Sequence, residues 1–261
     1  MSGILSEMTI EEVRAFEPEV VVLGVASTEP HGPALPYGTD YWQCDALCRK
    51  AVERANDRGA RVLMYPTLPI GNNVNFKVYP FACRVRVRTL MNMLLDIIEA
   101  VEEDGIRKVV LVNGHGGNTD SERAVLREHV DRTPRERCAF VCMTDGVADI
   151  PDDLFEHPSM HGGEDEVSRM LYLKPELVRR EKLQDQPMGE VALERLRRGG
   201  FYFVHPWHRY APWSAAGEQR KASAEKGRTR VEGMADGLAE FLVELSAMPW
   251  HPDFPYPPAA D

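Results

Sequence analysis

Residues 20–40 read VVVLGVASTEPHGPALPYGTD, a short apolar run that breaks into a loop carrying a glutamate, a histidine and an aspartate. The run Val20–Val25 is β-branched and nearly continuous in apolar character, the pattern of a strand buried on both faces. Working outward, the same pattern returns at 61–65 (RVLMY), 108–112 (KVVLV) and 138–143 (CAFVCM). Helical periodicity fills the intervals. One helix is predicted over 41–58, stopping at Gly59, and another over 88–104, stopping at Gly105; each glycine suits a left-handed C-terminal cap. A third is predicted over 120–131. Four strand–helix alternations predict an α/β fold, with right-handed crossovers and a mainly parallel sheet covered by helices on both faces.

Beyond residue 145 the alternation fades. A short helix is expected over 164–173, stopped before Pro175, and a long one over 222–245. Between them, 201–215 (FYFVHPWHRYAPWSA) reads as an aromatic, proline-bearing loop. The tail after Pro249 is too rich in proline for a helix and is expected to lie against the body or a neighbouring subunit. Near the start, Thr9 with Glu12 makes a capping box for a small leading helix. No repeat, linker or composition break divides the chain, so 1–261 reads as a single domain.

Composition excludes several classes. The 261 residues are 43% hydrophobic and 28% charged, enough apolar material for a large core and too much for disorder. Acidic residues outnumber basic ones, 41 to 31, for a net charge of −10, which argues against nucleic acid as a partner. The first residues lack a basic region followed by an apolar run, so no secretory signal is expected, and no stretch is apolar enough to span a membrane. Cys44, Cys48, Cys83, Cys138 and Cys142 are odd in number and not in CxxC spacing; they read as reduced, mostly packed thiols of a cytoplasmic protein.

Open parallel sheets carry their functional loops at the carboxyl ends of the strands. After the four predicted strands come STEPHG at 27–32 with Asp40 beyond it, PIGNNVNF at 69–76, NGHGGN at 113–118 and, through a longer loop, HGGEDE at 161–166. Glu29, His31, Asp40, His115 and Glu166 form a nitrogen and oxygen donor set without a thiolate, which suits Zn²⁺, Mn²⁺ or Fe²⁺ in an open site. Three carboxylates among five donors suggest two ions, with Asp40 as the bridge. Such a pair would hold a hydroxide between them and polarise a carbonyl.

Each motif also has a plainer reading. A loop histidine is most often a surface or hydrogen-bonded residue. NGHGGN could be a tight turn or an anion nest, although it lacks the lysine of a P-loop. Glu164, Asp165 and Glu166 are ordinary first-turn acids. Three such clusters at three strand ends favour the metal reading. Asn72, Asn73, Asn75 and Phe76 fall in the loop after the second strand and are candidates to contact a substrate. Arg84, Arg86 and Arg88 alternate as on one face of an extended strand, either a solvated edge or a clamp on an anionic or polyhydroxylated substrate. Trp207, His208, Tyr210 and Trp213 read equally as cover for a pocket or as packing at a subunit interface. No GxSxG elbow is present.

The ordered blocks SEMTIEEVRAFEPEVVVLGVASTEPHGPALPYGTD (6–40), NGHGGN (113–118), HGGEDEVSRML (161–171) and GEQRKASAEKG (217–227) resemble those of the creatininase family over most of the chain. The resemblance implies a three-layer αβα sandwich, often hexameric, with a dinuclear metal centre acting on a carbon–nitrogen bond of a small amide. By position, Glu29, His31, Asp40 and His115 match metal ligands, with Asp40 bridging. Glu166 matches the glutamate of the HAGxxET block and is taken as the remaining ligand, and His161 matches a histidine assigned to proton transfer. Gly117 stands where creatininase carries a ligating glutamate, and EPHGPALP replaces the usual EQHGPHLP, so a substrate other than creatinine is expected. The expected activity is metal-dependent hydrolysis of a small polar cyclic or amide substrate by a homo-oligomer. Its rivals are carbon–carbon ring opening of a cyclic polyol ketone with the same metal shell, and a non-catalytic oligomer stabilised by metal.

Overall fold

A computed structural model describes residues 2–132, 138–143, 146–147, 150–156 and 161–258. Two short elements lead the chain: α1 (Ile10–Phe16), closed by the expected Thr9–Glu12 capping box, and strand β1 (Val20–Val25), buried along its whole length. The chain then continues as α2 (Thr39–Asp57), β2 (Val62–Leu68), α3 (Val87–Glu103), β3 (Lys108–Asn113), α4 (Thr119–Arg132) and β4 (Cys138–Met143). The four strands are parallel in the order β2-β1-β3-β4. Gly59 and Gly105 both take φ of +89°, the left-handed conformation anticipated from sequence.

β2 runs three residues beyond the predicted end and contains Pro66. It is an edge strand, where a missing N–H costs no ladder bond, and its pairing with β1 shifts register between Leu23 and Val25. Arg84, Arg86 and Arg88 are not on one strand: Arg84 makes an isolated bridge with Gly71, Arg86 precedes α3, and Arg88 lies in its first turn.

Alternate residues of the strands feed two cores. Val20, Val22, Val110 and Val112 pack with Leu47 and Ala51 of α2 and with Leu238 and Leu242 of α8 (Ala224–Ala247), while Val21, Leu23, Val109 and Leu111 pack with Leu90, Leu94, Ile98 and Val125 of α3 and α4. Both sheet faces are therefore covered, which gives the three-layer αβα arrangement. A buried pair, His129 Nε2 to Glu102 Oε1 at 2.7 Å, ties α4 to α3.

The later chain forms α5 (Glu164–Leu173), two single-turn helices α6 (Glu194–Arg197) and α7 (Trp207–Tyr210), and α8. α7 is a turn of helix inside the stretch read from sequence as loop. α8 starts at Ser223, whose side chain accepts from Lys226 N, and it packs on both α2 and α5. The tail is non-helical, and Phe254 is seated in the core against Phe140. Lys108 at the start of β3 donates to the carbonyls of Leu245 and Met248 at 2.6 Å, closing the C-terminal end of α8. Cys44, Cys48, Cys83 and Cys142 are free thiols; the side chain of Cys138 falls outside the described residues.

Candidate metal centre

In-register pairing of Val20–Val25 with Lys108–Asn113 ends β1 and β3 at one level. The loops that follow, carrying Glu29 and His31 from one and His115 from the other, therefore leave the sheet side by side. Asp40 lies in the first turn of α2 and Glu166 in the first turn of α5. The five residues converge. His31 Nε2 lies 3.0 Å from Asp40 Oδ1 and 3.5 Å from Glu166 Oε2. His115 Nδ1 lies 3.1 Å from Asp40 Oδ2 and 3.2 Å from Glu29 Oε1.

Main-chain carbonyls orient each ring. His31 Nδ1 is 3.0 Å from Glu29 O, His115 Nε2 is 3.2 Å from Asn72 O, and His161 Nε2 is 2.9 Å from Pro30 O. A carbonyl oxygen only accepts, so in each ring that nitrogen carries the hydrogen. The other nitrogen then faces carboxylate oxygens, a contact that requires a proton or a cation between the two. Histidines that ligate metals are held in this way, the nitrogen away from the ion bonded to a carbonyl or carboxylate.

The donor set fits metal ions. Donor atoms of His31, Asp40 and Glu166 lie within 4.8 Å of one another, as do those of Glu29, Asp40 and His115. Asp40 belongs to both groups through different oxygens. Among the described residues Glu29 Oε1 and Asp40 Oδ2 are buried without a hydrogen-bond partner, the condition a cation would relieve. Glu29, His31 and His161 form a third such group.

Protons occupy the histidines when no cation does. Burial disfavours a charge on His31, but Asp40, then Glu166 and Glu29, outweigh it and push the imidazole up to about 10. His115 is likewise opposed by burial and raised well above its ordinary value by Glu29 and Asp40. Burial also opposes the charge on Asp40, yet the facing His31 and His115 hold its carboxyl far below the usual range. His161 moves the other way: burial, then the neighbouring His31, lower it below the ordinary imidazole value.

The remaining sequence candidates divide. Asn75, Phe76 and Trp207 line a cavity of about 780 Å³ together with the metal candidates Glu29, Asp40, His115 and Glu166, and with His161. Trp207 stacks on Phe76 at 5.3 Å and 11°, and both rings lie within 5.0 Å of the His161 ring centroid. Asn73 and Arg84 are not among the lining residues. Asn73 accepts from Ser27 Oγ at 2.6 Å and donates to the carbonyls of Thr28 and Cys83, so its amide binds loop to loop. Arg84 is exposed and donates to Lys77 O. Glu164, the other acid considered for the shell, is instead paired with Lys226 and accepts from Glu156 N.

Three positioning residues were not singled out from the sequence, although Asn118 and Gln219 lie inside the motif blocks. Gln43 Nε2 donates to Glu166 O at 3.1 Å, Gln219 Nε2 to Gly162 O at 2.6 Å, and Asn118 Nδ2 to Val25 O and Ala26 O. Gly117 is required sterically: a Cβ there would come within 2.4 Å of both His115 Nε2 and Asn72 O, the pair that orients His115. Among the described residues no helix is long and apolar enough to cross a membrane.

The family model for creatininase (creatinine amidohydrolase) matches residues 6–242. The chain is 27% identical over 254 residues to a mycofactocin precursor peptide peptidase from Mycobacterium ulcerans, covering 95% of this chain and 93% of that one. It is 24% identical over 262 residues to a 3-dehydro-scyllo-inosose hydrolase from Thermotoga maritima, covering 91% and 82%. A crystal structure described as a candidate creatinine amidohydrolase from Bacteroides fragilis superposes with a TM-score of 0.83 at 28% identity, covering 95% of this chain and 98% of that one.

Proposed function

The chain belongs to the creatininase family of hydrolases, and from that premise we propose that it hydrolyses the carbon–nitrogen bond of an amide. Two divalent transition ions, zinc, manganese or iron, would be held by Glu29, His31, Asp40, His115 and Glu166. The observation that carries this reading is the position of Asp40, one oxygen toward His31 and the other toward His115. When bound, the ions supply Lewis-acid polarisation of a carbonyl and a water that loses its proton near neutral pH.

The chain's own residues supply the proton path. His161 keeps its Nε2 hydrogen on Pro30 O and turns Nδ1 toward the cluster, 3.7 Å from Glu29 Oε1. Held neutral by burial, Nδ1 accepts a proton on the attack side and returns it to the leaving nitrogen. Phe76 and Trp207 shield that ring from water.

Ring opening of a polyol ketone is the weaker reading. Of the polar candidates for it, Asn73 and Arg84 are engaged as above and Asn72 Nδ2 donates to Val85 O, while Asn75 lines the cavity. The cavity wall sets Val74, Phe76, Val87, Val204 and Trp207 beside the polar Asn75, Thr119, Asp120, Ser121 and His205.

The test is metal analysis of protein purified without chelators, followed by a screen of cyclic amides, formamides, short peptides, lactones and inositol-derived ketones. Two ions per chain and turnover of an amide, lost on chelation and restored by metal, are expected. Less than one ion per chain would sink the dinuclear reading, and turnover of the ketone alone would replace amide chemistry.

A further inference from the structure

Two chain segments edge the mouth of the cavity, joined at their bases by the stacking of Phe76 on Trp207. On the first, Val74 and Val87 line the cavity and are nevertheless 52% and 47% exposed. On the second, Tyr202 and Val204 line it and are 81% and 50% exposed. Side chains with apolar bodies thus stand in water on both segments, around an opening where one further apolar surface would cover them. The second segment is weakly held. Residues 200–205 neither donate nor accept a main-chain hydrogen bond among the described residues. Gly199 and Gly200 precede them at φ of +81° and +84°, and a Cβ on either would meet nothing within 4 Å, so no neighbour fixes this pivot. Past Pro206 the chain is pinned: Trp207 packs on Phe76 and His161, Gly189 N donates to Tyr210 O at 2.7 Å, and Tyr79 Oη donates to Ala211 O at 2.6 Å. The ring contacts of Phe203 with His205 and of His205 with Tyr210 lie toward that pinned end. Tyr202 Oη is 3.5 Å from Asp120 Oδ2, beyond the usual hydrogen-bond range.

We propose that residues 200–206 form a strap that closes on the substrate and clamps an apolar group of it, with Tyr202 and Val204 as one jaw and Val74 and Val87 as the other. The inference rests on the metal reading above, because the donors in the same cavity would hold the scissile amide. It adds the class of substituent that the amide carries, an aromatic or branched aliphatic group. Closure covers both apolar edges and keeps bulk water from the bound amide, while Asp120 gives the Tyr202 hydroxyl a partner outside the apolar contact.

Metal-loaded protein and benzohydroxamate test this without turnover, since the hydroxamate head binds metal and the phenyl ring supplies the apolar group. Hydrogen exchange read by mass spectrometry should find the amides of 200–205 nearly unprotected in the free protein and at least about tenfold slower with saturating ligand. Calorimetry on Tyr202→Ala should show benzohydroxamate weakened at least about tenfold, and acetohydroxamate, which has no ring to clamp, by less than about threefold. Tyr202 is exposed, so the variant should keep the fold and the ion count of the parent. Slow exchange in the strap without ligand, or exchange that bound benzohydroxamate leaves unchanged, overturns the strap and leaves the metal reading standing. Equal weakening of the two hydroxamates in Tyr202→Ala does the same. Protein that holds two ions and binds neither hydroxamate, or that fails to hold them, overturns the metal reading and the strap with it.

Discussion

The imidazole Nε2 of His161 lies 2.9 Å from the carbonyl oxygen of Pro30, so that nitrogen carries the ring hydrogen and Nδ1 is left facing the metal candidates. The relationship joins two loops that are 131 residues apart in the chain, and it selects the tautomer on which proton transfer depends.

His161→Ala is expected to keep the metal content of the parent and to lose about 10²- to 10⁴-fold in kcat, the usual contribution of a positioned acid–base group. Metal analysis beside steady-state kinetics checks both halves. Turnover within tenfold of the parent would remove the proton-transfer role.

The shared position of Asp40 predicts unequal effects among the carboxylates. Asp40→Asn should lower the binding of both ions, whereas Glu166→Gln should weaken one and leave the other, because Glu166 faces His31 and not His115. Ion counts per chain after dialysis distinguish these outcomes. Equal loss in the two variants would contradict the bridging arrangement.

Metal uptake should release protons. His31, pushed up to about 10, and His115, also raised, are protonated at neutral pH in the metal-free protein and must be bare to bind. For a raised histidine the stabilising charge is present below its unfolded value near 6.5 and is lost as pH rises through the folded value. Apparent metal affinity should therefore climb with pH between about 6 and 9, by up to tenfold per unit for each proton displaced. Titration in weakly buffered solution measures the released protons directly; uptake without release would show that the rings are already bare.

Glu122 on α4 is fully buried, and among the described residues neither carboxyl oxygen has a hydrogen-bond partner. Burial pushes its carboxyl up to about 8, with His115 pulling slightly the other way. The unfolded chain ionises near 4.5 while the folded one keeps the proton to about 8, so this group's contribution to stability falls as pH rises across that window. Glu122→Met should therefore raise the Tm by a few degrees at pH 8.5 and by less at pH 5, each ~1 kcal/mol being worth about 2–4 °C at this size. A gain that did not grow with pH would mean that the carboxyl has a partner in solution.

What the sequence determined by itself was periodic or covalent. Buried-strand runs, glycine stops and the Thr9–Glu12 box follow from local sterics and patterning, so the β1, β3 and β4 spans and the helix ends at Gly59 and Gly105 were legible there. The donor types at the strand ends were legible for the same reason. Tertiary structure alone decided which donors meet. Glu164 and Glu166 share one helical turn, but docking of α5 against α8 brings Lys226 to the first, while Gln43 of α2 holds the backbone of the second. Asn73 had the chemistry of a substrate contact, yet the carbonyls of Thr28 and Cys83 hold its amide, because a polar group that leaves water must find a partner wherever the fold provides one; Arg84 stays exposed and donates to Lys77 O.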